Sequence, residues 1–232
     1  MLKSLGLVGD GDELDLIQDI ESVFGVAFAD AELEAGRTVG DLNEALWRHM
    51  SARVEAGNVR CMNAMAFNAL RRVLVAADAS RNIRHSDRLE SFGMKPKELS
   101  RAIHGKTGLV LGFALGRLGN AGTIAVLAGI ACVLLGIAWH GLFAAALALF
   151  LCAWAAFRLD TGSYEGCETV GDATAKIAVA NFGALADRGG RFDAGSVWLA
   201  LRETVAHNTG CPELEIGPDT LVMHSQPAKM SG

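Results

Sequence analysis

The chain has 232 residues, a formal net charge of −5, and apolar side chains at 51% of its positions. The acidic balance excludes the concentrated basic face that nucleic-acid binding requires. The length admits one or two small domains. Five scattered cysteines (Cys61, Cys132, Cys152, Cys167 and Cys211) form no CxxC pair and point to reduced thiols, not to a disulfide framework.

In chain order, Met1-Leu2-Lys3-Ser4 leads into an acidic stretch and lacks the apolar segment of a signal peptide, so the aqueous parts are expected in the cytoplasm. Asp10-Gly11-Asp12-Glu13 lacks the glycine and distal glutamate of an EF-hand loop and reads as acids at a helix start. Leu16, Ile17, Ile20, Val23 and Phe24 then recur at helical spacing, and Gly25 suits the residue just past a helix end. Thr38 with Asp41, and later Thr169 with Asp172, have the threonine-to-acid spacing of a capping box. Phe67, Leu70, Val73 and Leu74 predict another amphipathic helix, echoed by Val197, Trp198, Leu201 and Val205. Ala56-Gly57-Asn58 and Arg188-Gly189-Gly190 read as linkers before those two helices. No alternating apolar stretch is long enough to force a sheet, so the fold class is all-α.

Between Leu118 and Phe157 there is no Asp, Glu, Lys or Arg. About 20 apolar residues span a bilayer as a helix, so this run predicts a transmembrane hairpin, 118–157, turning at Trp139-His140-Gly141. Lys95, Lys97, Arg101, Lys106 and Arg117 precede it and Arg158 follows it. Basic flanks stay on the inner side, so the expected location is a bacterial inner membrane, with two spans in the lipid bilayer and both termini cytoplasmic.

The chain also matches itself. Thr38-Val39-Gly40-Asp41 recurs 131 residues later as Thr169-Val170-Gly171-Asp172, and Arg60, Phe67 and Ala69-Leu70-Arg71 recur as Arg191, Trp198 and Ala200-Leu201-Arg202. At an offset of 83, Leu16, Ile20, Gly25, Val26 and Phe28 correspond to Leu99, Ile103, Gly108, Leu109 and Leu111. Register kept over such lengths indicates duplication.

The run from Leu16 through Phe24-Gly25-Val26 and Phe28 to Thr38-Val39-Gly40-Asp41-Leu42 resembles the second half of acyl carrier proteins. Val197 to Leu201, followed by Ile216 to Leu221, looks like that family's first helix and loop, and Phe67 to Leu89 looks like a second copy. The overall layout is similar to bacterial two-span membrane proteins of unassigned function. The resemblance implies two carrier-like helical bundles in shuffled order. One is 10–50 completed by 191–221; the other is 60–117 with 168–187, interrupted by the hairpin. A disordered tail follows at 222–232. Carrier chemistry requires a serine to hold phosphopantetheine, but the expected positions carry Asp10 and Gly93, with Ser91 two residues away in the wrong context. The match therefore implies shape and no cofactor.

No catalytic constellation is visible. The six histidines (His49, His85, His104, His140, His207 and His224) form no HExxH and no i, i+4 pair, so no metal site is expected. Cys167 has no base that the sequence positions near it. The expected function is a non-enzymatic membrane adaptor that docks a cytoplasmic protein partner. The alternatives are an acyl- or lipid-handling protein and an immunity or toxin component acting at the membrane.

Overall fold

A computed structural model describes residues 4–5, 7, 10–53, 60–77, 82–111, 164 and 166–222. The architecture is mostly helical, in agreement with the all-α class. The described elements are α1 (Asp10–Phe24), α2 (Asp30–Ala35), α3 (Val39–Ser51), β1 (Arg60–Cys61), α4 (Met62–Ala77), α5 (Pro96–Thr107), α6 (Val170–Ala180), α7 (Phe182–Asp187), β2 (Gly190–Arg191) and α8 (Ala194–Thr209). Single 3-10 turns lie at Leu89–Phe92 and Glu213–Glu215. The only sheet among the described residues is a two-residue parallel pair, Arg60 opposite Gly190 and Cys61 opposite Arg191. The chain separates into two compact units, 1–71 with 174–232 and 72–173. The sequence instead suggests 60–71 and 174–187 as parts of the second bundle.

In the first unit, α8 packs against both α1 and α3, and α7 packs against α1. The core follows the helical stripes: Leu16, Ile20 and Phe24 from α1, Leu42, Leu46 and Met50 from α3, and Val197, Leu201 and Val205 from α8 are all buried. Trp198, between the fully buried Val197 and the exposed Leu199, is intermediate in exposure. Phe24 stacks obliquely on Phe182 with ring centroids 5.1 Å apart. The two chain ends meet here, with the Leu5 N–H donating to the Leu221 carbonyl at 3.0 Å. Val222, which the sequence reading put in the tail, is buried, and its N–H donates to the Arg37 carbonyl. Residues 223–232 lie outside the described residues.

The second unit gathers Leu99 and Ile103 of α5 with Leu89, Leu109, Leu111, Tyr164, Cys167 and Val170, all buried. The Tyr164 hydroxyl donates to the Met94 carbonyl at 2.7 Å. Burial, with Cys167 as the next cause, pushes the phenol up to about 12, so it stays protonated and keeps that bond throughout the neutral range.

The positions matched at an offset of 83 take equivalent places. Leu16, Ile20, Val26 and Phe28 are buried, as are Leu99, Ile103, Leu109 and Leu111. Gly25 and Gly108 both leave a helix with positive φ, 61° and 69°, a conformation open to glycine at little cost.

One expectation is overturned. Among the described residues no helix is long and apolar enough to cross a membrane. The longest, α4 and α8, have 16 residues each and carry Arg71, Arg72, Arg202 and Glu203, whereas a crossing needs about 20 apolar residues. The membrane and transmembrane assignment, and the inner-membrane location built on it, are therefore withdrawn. The run 118–157 from which they were read lies outside the described residues.

Candidate functional site

The most specific motif, Thr-Val-Gly-Asp, has a structural task in both copies. Thr38 Oγ1 accepts the Asp41 N–H at 3.1 Å, and Asp41 Oδ2 accepts the Thr38 N–H at 2.9 Å. Thr169 and Asp172 repeat both bonds at the same distances. Bonds from the Arg37 and Thr38 N–H groups hold the Asp41 carboxyl below the usual carboxylate range. The motif also docks a neighbouring strand-like segment. The Val39 and Gly40 N–H groups donate to the Thr220 and Pro218 carbonyls, while Val170 and Gly171 donate to Asp87 and His85. At Gly40 a Cβ would lie 2.8 Å from the Pro218 carbonyl oxygen, so glycine permits the approach. These residues cap and anchor helices; their polar groups are committed to the fold.

Neither carrier position carries a hydroxyl. Asp10 opens α1, and Gly93 ends a 3-10 turn at φ 67°. The Ser91 hydroxyl donates to the Arg88 carbonyl. Asp12 and Glu13 belong to the body of α1, not to a loop that could wrap a calcium ion.

The other candidates are dispersed. His49 meets Glu32 at 2.9 Å and lies edge-on to Phe28. His104 sits in the last turn of α5. Cys167 is fully buried, so its thiol has no path to an external electrophile. Cys211 lies 3.8 Å from the Leu5 carbonyl. His140, His224, Cys132 and Cys152 lie outside the described residues. Among the described residues no group of His, Cys, Asp and Glu could hold a metal ion.

Two concavities stand out among the described residues, both in the first unit. The larger, about 540 Å³, is an acidic bay where Asp12, Asp15 and Asp19 of α1 face Asn208 and Thr209. Like charges on one helix face favour water there over an apolar ligand. The smaller, about 230 Å³, is an open apolar groove with Met62, Ala178, Phe182 and Ala200 as its floor. These four are buried, yet Leu199 on the lip is 56% exposed. Arg191 marks the end beside the strand pair, and Glu203 marks the other end two turns along α8.

Electrostatics single out the Glu203 end. Burial, then the nearby Glu213 carboxylate, pushes the Glu203 carboxyl up, against the pull of Lys176. Burial and Lys176 push the His207 imidazole down, opposed by Asp19. Sequence reasoning missed this groove entirely: Leu199 and Glu203 belong to no motif, and only packing brings α6, α7 and α8 together around them.

No family model matches the chain, and no curated protein or solved structure is significantly similar to it.

Proposed function

We propose that the protein is a non-enzymatic docking adaptor that engages a protein partner through the groove lined by α6, α7 and α8. The observation that carries this reading is the half-exposed Leu199 poised over a buried apolar floor. Small-molecule sites usually enclose about 300–1,000 Å³, so an open groove of about 230 Å³ suits a side-chain anchor better than a cofactor. A few anchors seated in such pockets supply most of the binding energy of a protein contact, while the surrounding rim excludes water. The carrier-like helical units then serve as scaffold: with Asp10 and Gly93 at the modification positions, the chain offers no hydroxyl there for phosphopantetheine.

The test compares affinity capture by the wild-type chain, by Leu199→Asp, and by Leu14→Asp. Leu14 is a 58% exposed leucine on α1, outside the groove. A partner retained by wild type and Leu14→Asp but lost by Leu199→Asp is the expected result. A partner that ignores Leu199→Asp contradicts the reading. Mass spectrometry after co-expression with a phosphopantetheinyl transferase should show an unchanged mass. A stoichiometric adduct would restore a carrier role.

A further inference from the structure

We propose that residues 26–35 form an acid-released flap on the first unit, latched shut by the carboxylates of Glu21 and Glu32. The proposal is independent of the groove and of the docking reading. Glycines bound the segment, Gly25 with φ 61° on one side and Gly36 past the end of α2 on the other. Val26 and Phe28 are its buried residues, and the Phe28 ring lies edge-on to His49 with centroids 5.8 Å apart. Glu21 of α1 accepts the Phe28 N–H at 2.7 Å. Glu32 of α2 accepts the Ala29 N–H at 3.1 Å, and the same oxygen meets His49 Nε2 of α3 at 2.9 Å. The other Glu32 oxygen lies 3.5 Å from the Arg48 guanidinium of α3.

An ionised carboxylate only accepts hydrogen bonds, so His49 is the donor in its pair with Glu32. Bonds to an ionised acceptor are about twice as strong as neutral ones, and protonation of the two carboxylates therefore weakens both latches. The bond from His49, then that from Ala29, holds the Glu32 carboxyl below the usual carboxylate range, and Arg48 adds to the pull. A carboxyl lowered on folding stabilises above its unfolded pKa, and that contribution is lost as pH falls through the folded value. The Gly25 side is fastened in another way. Arg53, just past α3, donates to the Phe24 and Gly25 carbonyls and pairs with Asp187 of α7 at 3.5 Å. A guanidinium keeps its charge in acid, so that side stays held and acts as the hinge. The second unit supplies a contrast. The offset of 83 carries Glu21 onto His104, and the Leu109 N–H there donates to the Thr107 hydroxyl at 3.3 Å. That bond contains no carboxylate and so lacks the acid response.

Native-state hydrogen exchange on the full chain tests this, with the protection factor of each amide followed from about pH 7 to about pH 3. The Phe28 and Ala29 amides should lose at least about tenfold in protection as pH falls below the ordinary glutamate value of about 4.3, while Leu46 in the core of α3 keeps its own. The double variant Glu21→Gln with Glu32→Gln retains an acceptor oxygen at each latch but no titrating proton. Its Phe28 and Ala29 protection should be flat with pH, at a level below that of the wild type at neutral pH. Each single Gln variant should shrink the acid response, which keeps the test open if the double variant does not fold. Protection in the wild type that does not change with pH would overturn the proposal, as would an unaltered acid response in the Gln variants. A loss at Leu46 in step with Phe28 and Ala29 would also overturn it, because the unit would then be unfolding as a whole with no flap released.

Discussion

Gly183 has no room for a methyl group: its Cβ would lie 2.2 Å from the Phe24 carbonyl oxygen. The close approach seats α7 on the C-terminal end of α1, where Arg53 also donates to the Phe24 carbonyl and lies 3.5 Å from Asp187. Gly183→Ala must push these backbones apart and should lower stability by about 1–3 kcal/mol in urea unfolding. Gly105, inside α5 with nothing within 4 Å of a Cβ, is the contrast. Gly105→Ala removes only unfolded-chain freedom and should raise stability by about 0.5–1 kcal/mol. Thr38→Ala deletes the oxygen that accepts the Asp41 N–H and should cost about 1 kcal/mol. The pH response of Glu203 has the opposite sign to that of Asp41. A carboxyl raised on folding stabilises below its unfolded pKa, and that contribution is lost as pH rises through the folded value. Asp41 is lowered, so its contribution is present above the unfolded pKa and lost as pH falls. Glu203→Gln should therefore raise the melting temperature at neutral pH, with the difference vanishing in acid; a fall at neutral pH would contradict this.

At the scale of elements, α8 is the spine of the first unit. Leu201→Ala should cost about 2–5 kcal/mol and speed hydrogen exchange in α1 and α3, because Leu201 is fully buried and α8 packs against both. Trp198→Ala should cost less, since the indole, unlike Leu201, is only partly buried. Equal losses from the two would refute the assigned face of α8. Val197-Trp198-Leu199-Ala200-Leu201 is apolar throughout, so periodicity cannot choose between the face that packs inward and the face that lines the groove. By contrast, the stripe of Leu16, Ile20 and Phe24 stands among acids, and its buried face was legible directly. The capping boxes were legible for a similar reason: they depend only on residues three apart. The groove depends on residues more than a hundred positions apart, and no local signal announces it.

At the scale of the whole molecule, the described chain forms two compact helical units. The uncharged run 118–157, the loudest signal in the sequence, lies outside the described residues. Among the described residues the helices are at most 16 residues long and none is long and apolar enough to cross a membrane, so the membrane assignment has no helix to stand on there. The matched offsets carried more, because each pairs a residue with a place: buried apolar positions with buried apolar positions, and one positive-φ glycine with another. The central claim is that the surface around Leu199 is where a partner binds. Site-specific photocrosslinking tests it most directly, with a benzophenone side chain installed at position 199 or, as control, at position 14. The account predicts a single crosslinked protein at position 199, absent at position 14. Equal crosslinking at both positions, or an adduct at 14 alone, would contradict it.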